Sequence, residues 1–173
     1  MGILSGNPKD EPMHYGEVSS IWVYLSGVNS TIAAYQTFIN HTGDGDLKKF
    51  IEDKIRNEMK PQVQELEALL KENGIALPPA PPERPIANLE SIPVGARFND
   101  SEIAMTIAKN IATGLVSCSQ IMGEAIREDI ATIFGKYHVE KATYGLRLLR
   151  IQKEKGWLVP PPLNIEEREL AHV

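Results

Sequence analysis

The chain has 173 residues, 42% of them apolar, and a net charge of −5. This is enough for one domain with a real core, and the composition excludes wholesale disorder. The acidic balance disfavours nucleic acid and anionic membranes as partners, and the single cysteine excludes a disulfide framework or a four-thiolate zinc site.

No apolar run approaches the roughly 18–20 residues that span a bilayer. Met1 to Glu11 has no apolar signal core, so it does not read as a secretory signal. The expectation is a soluble protein made in the cytoplasm.

Residues 1–12, with Gly2, Gly6, Pro8 and Pro12, read as an extended lead-in. A first helix is predicted over about 13–42, where Val18, Ile21, Leu25, Val28, Ile32, Tyr35 and Ile39 step by three and four along one face. Gly43-Asp44-Gly45-Asp46 breaks it, and Asp44 or Asp46 can cap the next helix. So short a turn makes the two helices antiparallel. The second helix is predicted over 46–73, with a kink at Pro61 and a stop at Gly74.

Residues 75–98 contain Pro78-Pro79-Ala80-Pro81-Pro82-Glu83-Arg84-Pro85 and read as an extended polyproline-like strap. Ile75, Leu77, Ile86, Leu89, Ile92, Val94 and Phe98 are its expected apolar pins. Asn99 or Asp100 caps a third helix over 99–125, rich in Ala, Gly and Ser. A break at Ala125–Asp129 precedes a fourth helix over 128–155, which Gly156 ends. The single bundle domain is thus 13–156, and 157–173 is a proline-bearing tail.

An internal repeat supports this division. Lys71-Glu72-Asn73-Gly74-Ile75-Ala76-Leu77-Pro78-Pro79 matches Lys153-Glu154-Lys155-Gly156-Trp157-Leu158-Val159-Pro160-Pro161 at an offset of 82 residues. With a shift of one, Leu47, Phe50 and Ile51 fall on Ile130, Ile133 and Phe134. The predicted fold is all-α: a ferritin-like four-helix bundle of two antiparallel hairpins joined by a long proline-rich crossover.

That topology calls for a test of a di-metal centre, which needs a Glu from each of two helices and Glu-x-x-His from each of the other two. Glu58 is present, but residue 61 is Pro; Glu140 is present, but residue 143 is Thr. No Asp or Glu occurs from Val18 to Gly43 or from Ile103 to Gly123. The expectation is therefore no cofactor, no catalytic residue and no resident metal. His14, Glu17, Glu58, His138 and Glu140 remain the candidates for a non-standard metal set.

His14 and Glu17 share a face at the start of the first helix. Glu65, Glu67 and Glu72 are possible neighbours there, and an N-terminal hydrogen-bond pair is the plainer alternative. Glu58 and Glu140 are otherwise solvated or buried, hydrogen-bonded helix residues, and His138 a half-buried one. Lys141 either snorkels or pairs with Glu58 across the bundle. Cys118 reads as buried packing. His41 and His172 lie in a turn and a tail, with no assigned role. Asn29-Ser30-Thr31 and Asn40-His41-Thr42 match the glycosylation sequon by chance.

Several of these residues carry a resemblance. Glu17-Val18, Ser119-Gln120 followed by Ile126-Arg127-Glu128-Asp129 and Phe134, and Glu154-Lys155-Gly156 leading to Pro160-Pro161-Pro162 are similar to a ferritin-like family from endospore-forming bacteria. Its members are named as spore coat proteins, similar to coat protein F. The resemblance covers residues 12–162 as a single bundle. It implies a coat component, made in the mother-cell cytoplasm and deposited at the spore surface, and it carries over no catalytic residue.

Three functional readings follow. The first is a non-catalytic structural or interaction protein that self-associates as a homodimer and contacts other coat proteins, with Trp22, Trp157 and Tyr24 as anchors if exposed. The second is a metal-binding or redox bundle with the non-standard set above. The third is a bundle holding a small apolar ligand beside its Gly- and Ala-rich third helix.

Overall fold

Apolar residues at three- and four-residue spacing must share one helix face and bury it, and this spacing builds the molecule. The computed structural model describes residues 11–164, so most of the expected lead-in, the end of the tail and His172 lie outside the described residues. Its elements are α1 (Tyr15–His41), α2 (Gly45–Lys54), a π-helical turn (Ile55–Met59), α3 (Lys60–Glu72), two short 3-10 turns (Leu89–Ser91 and Val94–Ala96), α4 (Asp100–Glu124) and α5 (Glu128–Glu154). There is no strand among the described residues.

The elements α2, π turn and α3 follow one another without a break, so the chain forms four helical rods around one core. Ile21, Leu25, Leu66, Ile103, Ile107 and Phe134 are wholly removed from solvent there. Each such side chain contributes about 1.5–3 kcal/mol on burial.

The turn between α1 and α2 is fixed by two aspartates. Asp44 caps α2, accepting from the amides of Asp46 and Leu47 at 2.9 and 3.0 Å. Asp100 does not cap its own helix. Its carboxylate reaches back to the amides of Gly43 and Asp44 at 3.0 and 3.1 Å, tying the start of α4 to this turn. Asn99 is the capping residue of α4, and Glu102 returns to its amide at 2.8 Å.

Pro61 acts otherwise than as a simple kink. Proline has no amide proton to give to the carbonyl four residues back. Just before it the helix widens by one residue, and the Lys60 amide bonds to the Ile55 carbonyl in the π pattern. This accounts for the repeat. The offset is 83 residues for Leu47, Phe50 and Ile51 and falls to 82 beyond the π turn, because the first hairpin holds one extra residue between them. The two hairpin ends are otherwise alike. Gly74 and Gly156 take φ of 71° and 69°. The following amides, of Ile75 and Trp157, bond to Leu70 and Gln152 carbonyls at 2.9 and 2.8 Å.

The proline-rich segment runs alongside α1. Trp22 Nε1 donates to the Ala76 carbonyl at 3.0 Å, and the Arg84 amide donates to Gln36 Oε1 at 2.8 Å. Asn40 bonds both Pro85 and Ala87, each at 3.0 Å, and the Phe98 amide donates to His41 Nδ1 at 3.2 Å. Ile75 and Leu77 pack on the core as expected, but Ile86 and Val94 are exposed. A polyproline backbone leaves its carbonyls free, and amide side chains on α1 hold the stretch around Pro85, where Ile86 does not pin it.

Candidate functional site

The polar interior has two parts, one at an end of the bundle and one at its centre. At the end, His14 caps α1, its Nδ1 accepting from the amides of Gly16 and Glu17 at 3.0 and 3.4 Å. Glu17 completes the capping box by accepting from the His14 amide at 3.1 Å. Its second oxygen crosses to the α4–α5 junction, accepting from Ile126 and Arg127 amides at 2.8 and 2.9 Å.

Glu17 is only 2% exposed. It is a clamp between helices and not a solvated helix-start residue. His14 faces the Glu124 carbonyl at 3.3 Å, and its bonds with Glu17 are the helix-start pair that stood as the alternative to a set with Glu65, Glu67 and Glu72. Arg127, also buried, forks onto Asp129 at 3.0 and 2.6 Å and reaches Asn73 and the Glu11 carbonyl at 2.9 and 3.2 Å. These bonds hold the guanidinium pKa above its usual range and that of Asp129 below the carboxylate range. The Glu17 and Arg127-Glu128-Asp129 motifs are therefore a built joint.

At the centre, the π turn carries Glu58 into the core. Glu58 is 1% exposed. One of its oxygens takes the Lys54 ammonium, and the other takes Lys141 at 2.9 Å, across the bundle from α5. Lys141 also donates to Gln62 Oε1 at 3.3 Å. Lys54 stands 4.8 Å over the Tyr144 ring, and Lys141 stands 5.6 Å over that of Tyr24. Burial pushes the Lys54 pKa down to about 8, against the opposing pull of Glu58.

Around this triad, Tyr24 donates to Gln62 Oε1 at 3.4 Å and meets Cys118 Sγ at 3.5 Å. Burial raises the pKa of both groups, so the Cys118 thiol is protonated packing. Glu140 is half-buried and accepts from Gln62 Nε2 at 3.0 Å. His138 is half-buried on α5.

The five metal candidates therefore do not converge. His14 and Glu17 sit at the end, Glu58 is held by lysines at the centre, and Glu140 is held by Gln62. Among the described residues, no group of three or more His, Cys, Asp or Glu side chains is placed to hold a metal ion. The donor chemistry does not fit a di-metal centre, because ammonium groups occupy both oxygens of the buried Glu58.

A recess of about 470 Å³ opens between α1 and α4 and ends at this centre. Lys54, Lys141, Tyr24 and Tyr35 line its depth, and Val28, Met59 and Ile111 are among its apolar walls. Its existence follows from small residues. Gly27 leaves open space beside α1, and a Cβ at Gly114 would stand 3.0 Å from Cδ of Lys141. Tyr24 is 8% exposed and belongs to this interior, so it is not a surface anchor. Trp22 and Trp157 are half-buried against the core.

Of the two sequence-based alternatives for Lys141, the structure shows the pair with Glu58, and Lys54 was missed as a second partner. Lys54 stands four residues before Glu58, the spacing of a helical ion pair, and was available as a signal.

Comparison with other proteins matches a family, a relative and two solved structures. A family of proteins of unknown function, DUF3231, matches residues 1–170. The uncharacterized protein YvdQ of Bacillus subtilis (strain 168) is 51% identical over 171 residues, spanning 99% of this chain and all of that one. A crystal structure from Bacillus halodurans C-125, named as a putative spore coat protein, superposes with a TM-score of 0.90 at 55% identity, covering 92% of this chain and 100% of that one. A conserved hypothetical protein from Mycobacterium tuberculosis, Rv2844, shares the fold alone, with a TM-score of 0.63 at 13% identity over 78% of this chain and 96% of that one. No helix among the described residues is long and apolar enough to cross a membrane.

Proposed function

The chain belongs to the DUF3231 family, and from that premise we propose that it is a non-catalytic structural and interaction protein of the spore coat, built on a ferritin-like bundle. The observation that carries the non-catalytic part is the Lys54–Glu58–Lys141 triad. In a ferritin-like bundle the centre is where metal-binding carboxylates meet. Here two ammonium groups take the place of the cations that such carboxylates would bind, and they repel an incoming metal ion. The proline-rich crossover along α1 and the two like-ended hairpins support the ferritin-like topology. The name of the Bacillus halodurans protein supports the coat assignment. Homodimerisation and contact with other coat proteins belong to the same proposal, supported by the exposed Val116, Val139 and Leu146 on α4 and α5.

The test is fractionation of spores from an endospore-forming host that expresses the tagged full chain, with elemental analysis of the purified protein. The expected result is tag in the coat extract and metal well below one ion per chain. Retention in the mother-cell cytosol would overturn the coat assignment. A stoichiometric transition metal that is lost in Glu58→Ala would overturn the metal-free one.

One observation favours a second reading, a bundle that holds a small ligand. The recess reaches a buried charged centre, where a merely structural core would be packed shut.

A further inference from the structure

The charges at the floor of the recess are unequal. Lys54 and Lys141 bring two ammonium groups, and Glu58 brings one carboxylate. Asp53 is paired with Arg147 at 2.6 Å, and Glu140 lies outside the buried set, half-buried and bonded to the neutral Gln62 amide at 3.0 Å. The centre thus carries a formal charge of +1 among residues that are 7% exposed or less. Lys54 gives one hydrogen bond and Lys141 gives two. An ammonium has three donors, so both have capacity left. A buried charge without a counter-charge is costly, and a ligand that supplies one is favoured in proportion.

We infer that the recess binds a small organic monoanion, a carboxylate with an apolar body, whose head meets Lys54 and Lys141 and whose body lies between α1 and α4. This rests on the ligand-binding reading above. One excess charge selects a monoanion, since a dianion would leave the buried site negative. The apolar part of the ligand is required by Val28, Met59 and Ile111, which line the way to the lysines. The volume of about 470 Å³ lies in the range of small-molecule sites. Tyr35 also lines the recess, and its hydroxyl stays protonated because burial raises its pKa.

The test is calorimetric titration of the full chain with three eight-carbon probes that differ only in the head: octanoate, 1-octanol and octylamine. Octanoate is expected to bind at one site per chain. The alcohol is expected to bind about tenfold or more weakly, the loss of one charge-assisted contact, and the amine not to bind.

Lys141→Met should bring octanoate down to the affinity of the alcohol, with folding checked by circular dichroism. Gly27→Trp fills the mouth where a Cβ has open space and leaves both lysines in place, so it should abolish binding. It carries the test if Lys141→Met does not fold. Octanol binding as tightly as octanoate, with no effect of Lys141→Met, would overturn the charge assignment and leave a neutral ligand recess. No binding of any probe would overturn both the inference and the reading beneath it. Full octanoate affinity in Gly27→Trp would place the ligand elsewhere and overturn the site.

Discussion

Glu17 and Glu58 are both buried glutamates, and the difference between their surroundings separates scaffold from site. Among the described residues, Glu17 takes its hydrogen bonds from backbone amides, those of His14, Ile126 and Arg127, with the His14 ring 3.8 Å away, at the end of the bundle. Its charge rests on peptide dipoles and the α5 N-terminus, so the arrangement is closed and nothing is left over. Glu58 accepts only from side chains, and the two lysines exceed what one carboxylate can balance. The end is saturated by geometry, whereas the centre is left with a positive charge that faces a recess. Burial alone does not distinguish a structural carboxylate from one in a site; the identity of its partners does.

The sharpest way to break this contrast is Glu58→Gln. It leaves two buried ammonium groups with no carboxylate and is expected to cost about 3–5 kcal/mol in equilibrium denaturation. Glu17→Gln should cost less, about 2–3 kcal/mol, because backbone donors lose a charged acceptor but no buried charge is stranded. A loss equal to that of Glu58→Gln would erase the distinction.

The pH dependence of the centre sharpens it further. The unfolded Lys54 holds its proton up to its ordinary pKa of 10.5, and the folded one releases it near 8. Between these values the unfolded state binds more protons, so stability rises with pH. Burial raises the pKa values of Cys118, Tyr24, Tyr35 and Tyr137, which act in the opposite sense above about pH 9. The contribution is isolated by subtracting the profile of Lys54→Met, against which wild type should gain on the order of 2 kcal/mol from pH 8 to 10. The smallest effect is expected at His14→Ala, about 1 kcal/mol for the loss of a helix cap, read from the same denaturation curves.

Much of the scaffold was legible in the sequence. The alternating seam of α1 and the glycine stops at Gly74 and Gly156 are local signals, set by period and backbone conformation. Even the π turn leaves a local trace, the one-residue slip in the repeat offset between Ile51 and Lys71. The joint at the bundle end was visible only as a motif. Glu17 and Arg127 are 110 residues apart, and nothing in spacing tells a helix-start Glu to seek another helix's amides. The centre was half legible. Lys141 could be paired with Glu58, but the surplus of Lys54 and the recess beside it arise from how three rods meet. The strap was legible in its apolar pins Ile75, Leu77 and Phe98 but not in its polar ones, because no spacing rule marks Gln36 and Asn40 as its partners.

The central claim, that the core carries one more positive charge than it needs, is tested most directly by the stability of Lys54→Met at neutral pH. The variant keeps the Lys141–Glu58 pair and swaps a buried ammonium for an apolar side chain of similar length. Its unfolding free energy is expected to equal or exceed that of wild type. A loss as large as that of Glu58→Gln would show that Glu58 requires both lysines, and would contradict the existence of an excess charge awaiting a ligand.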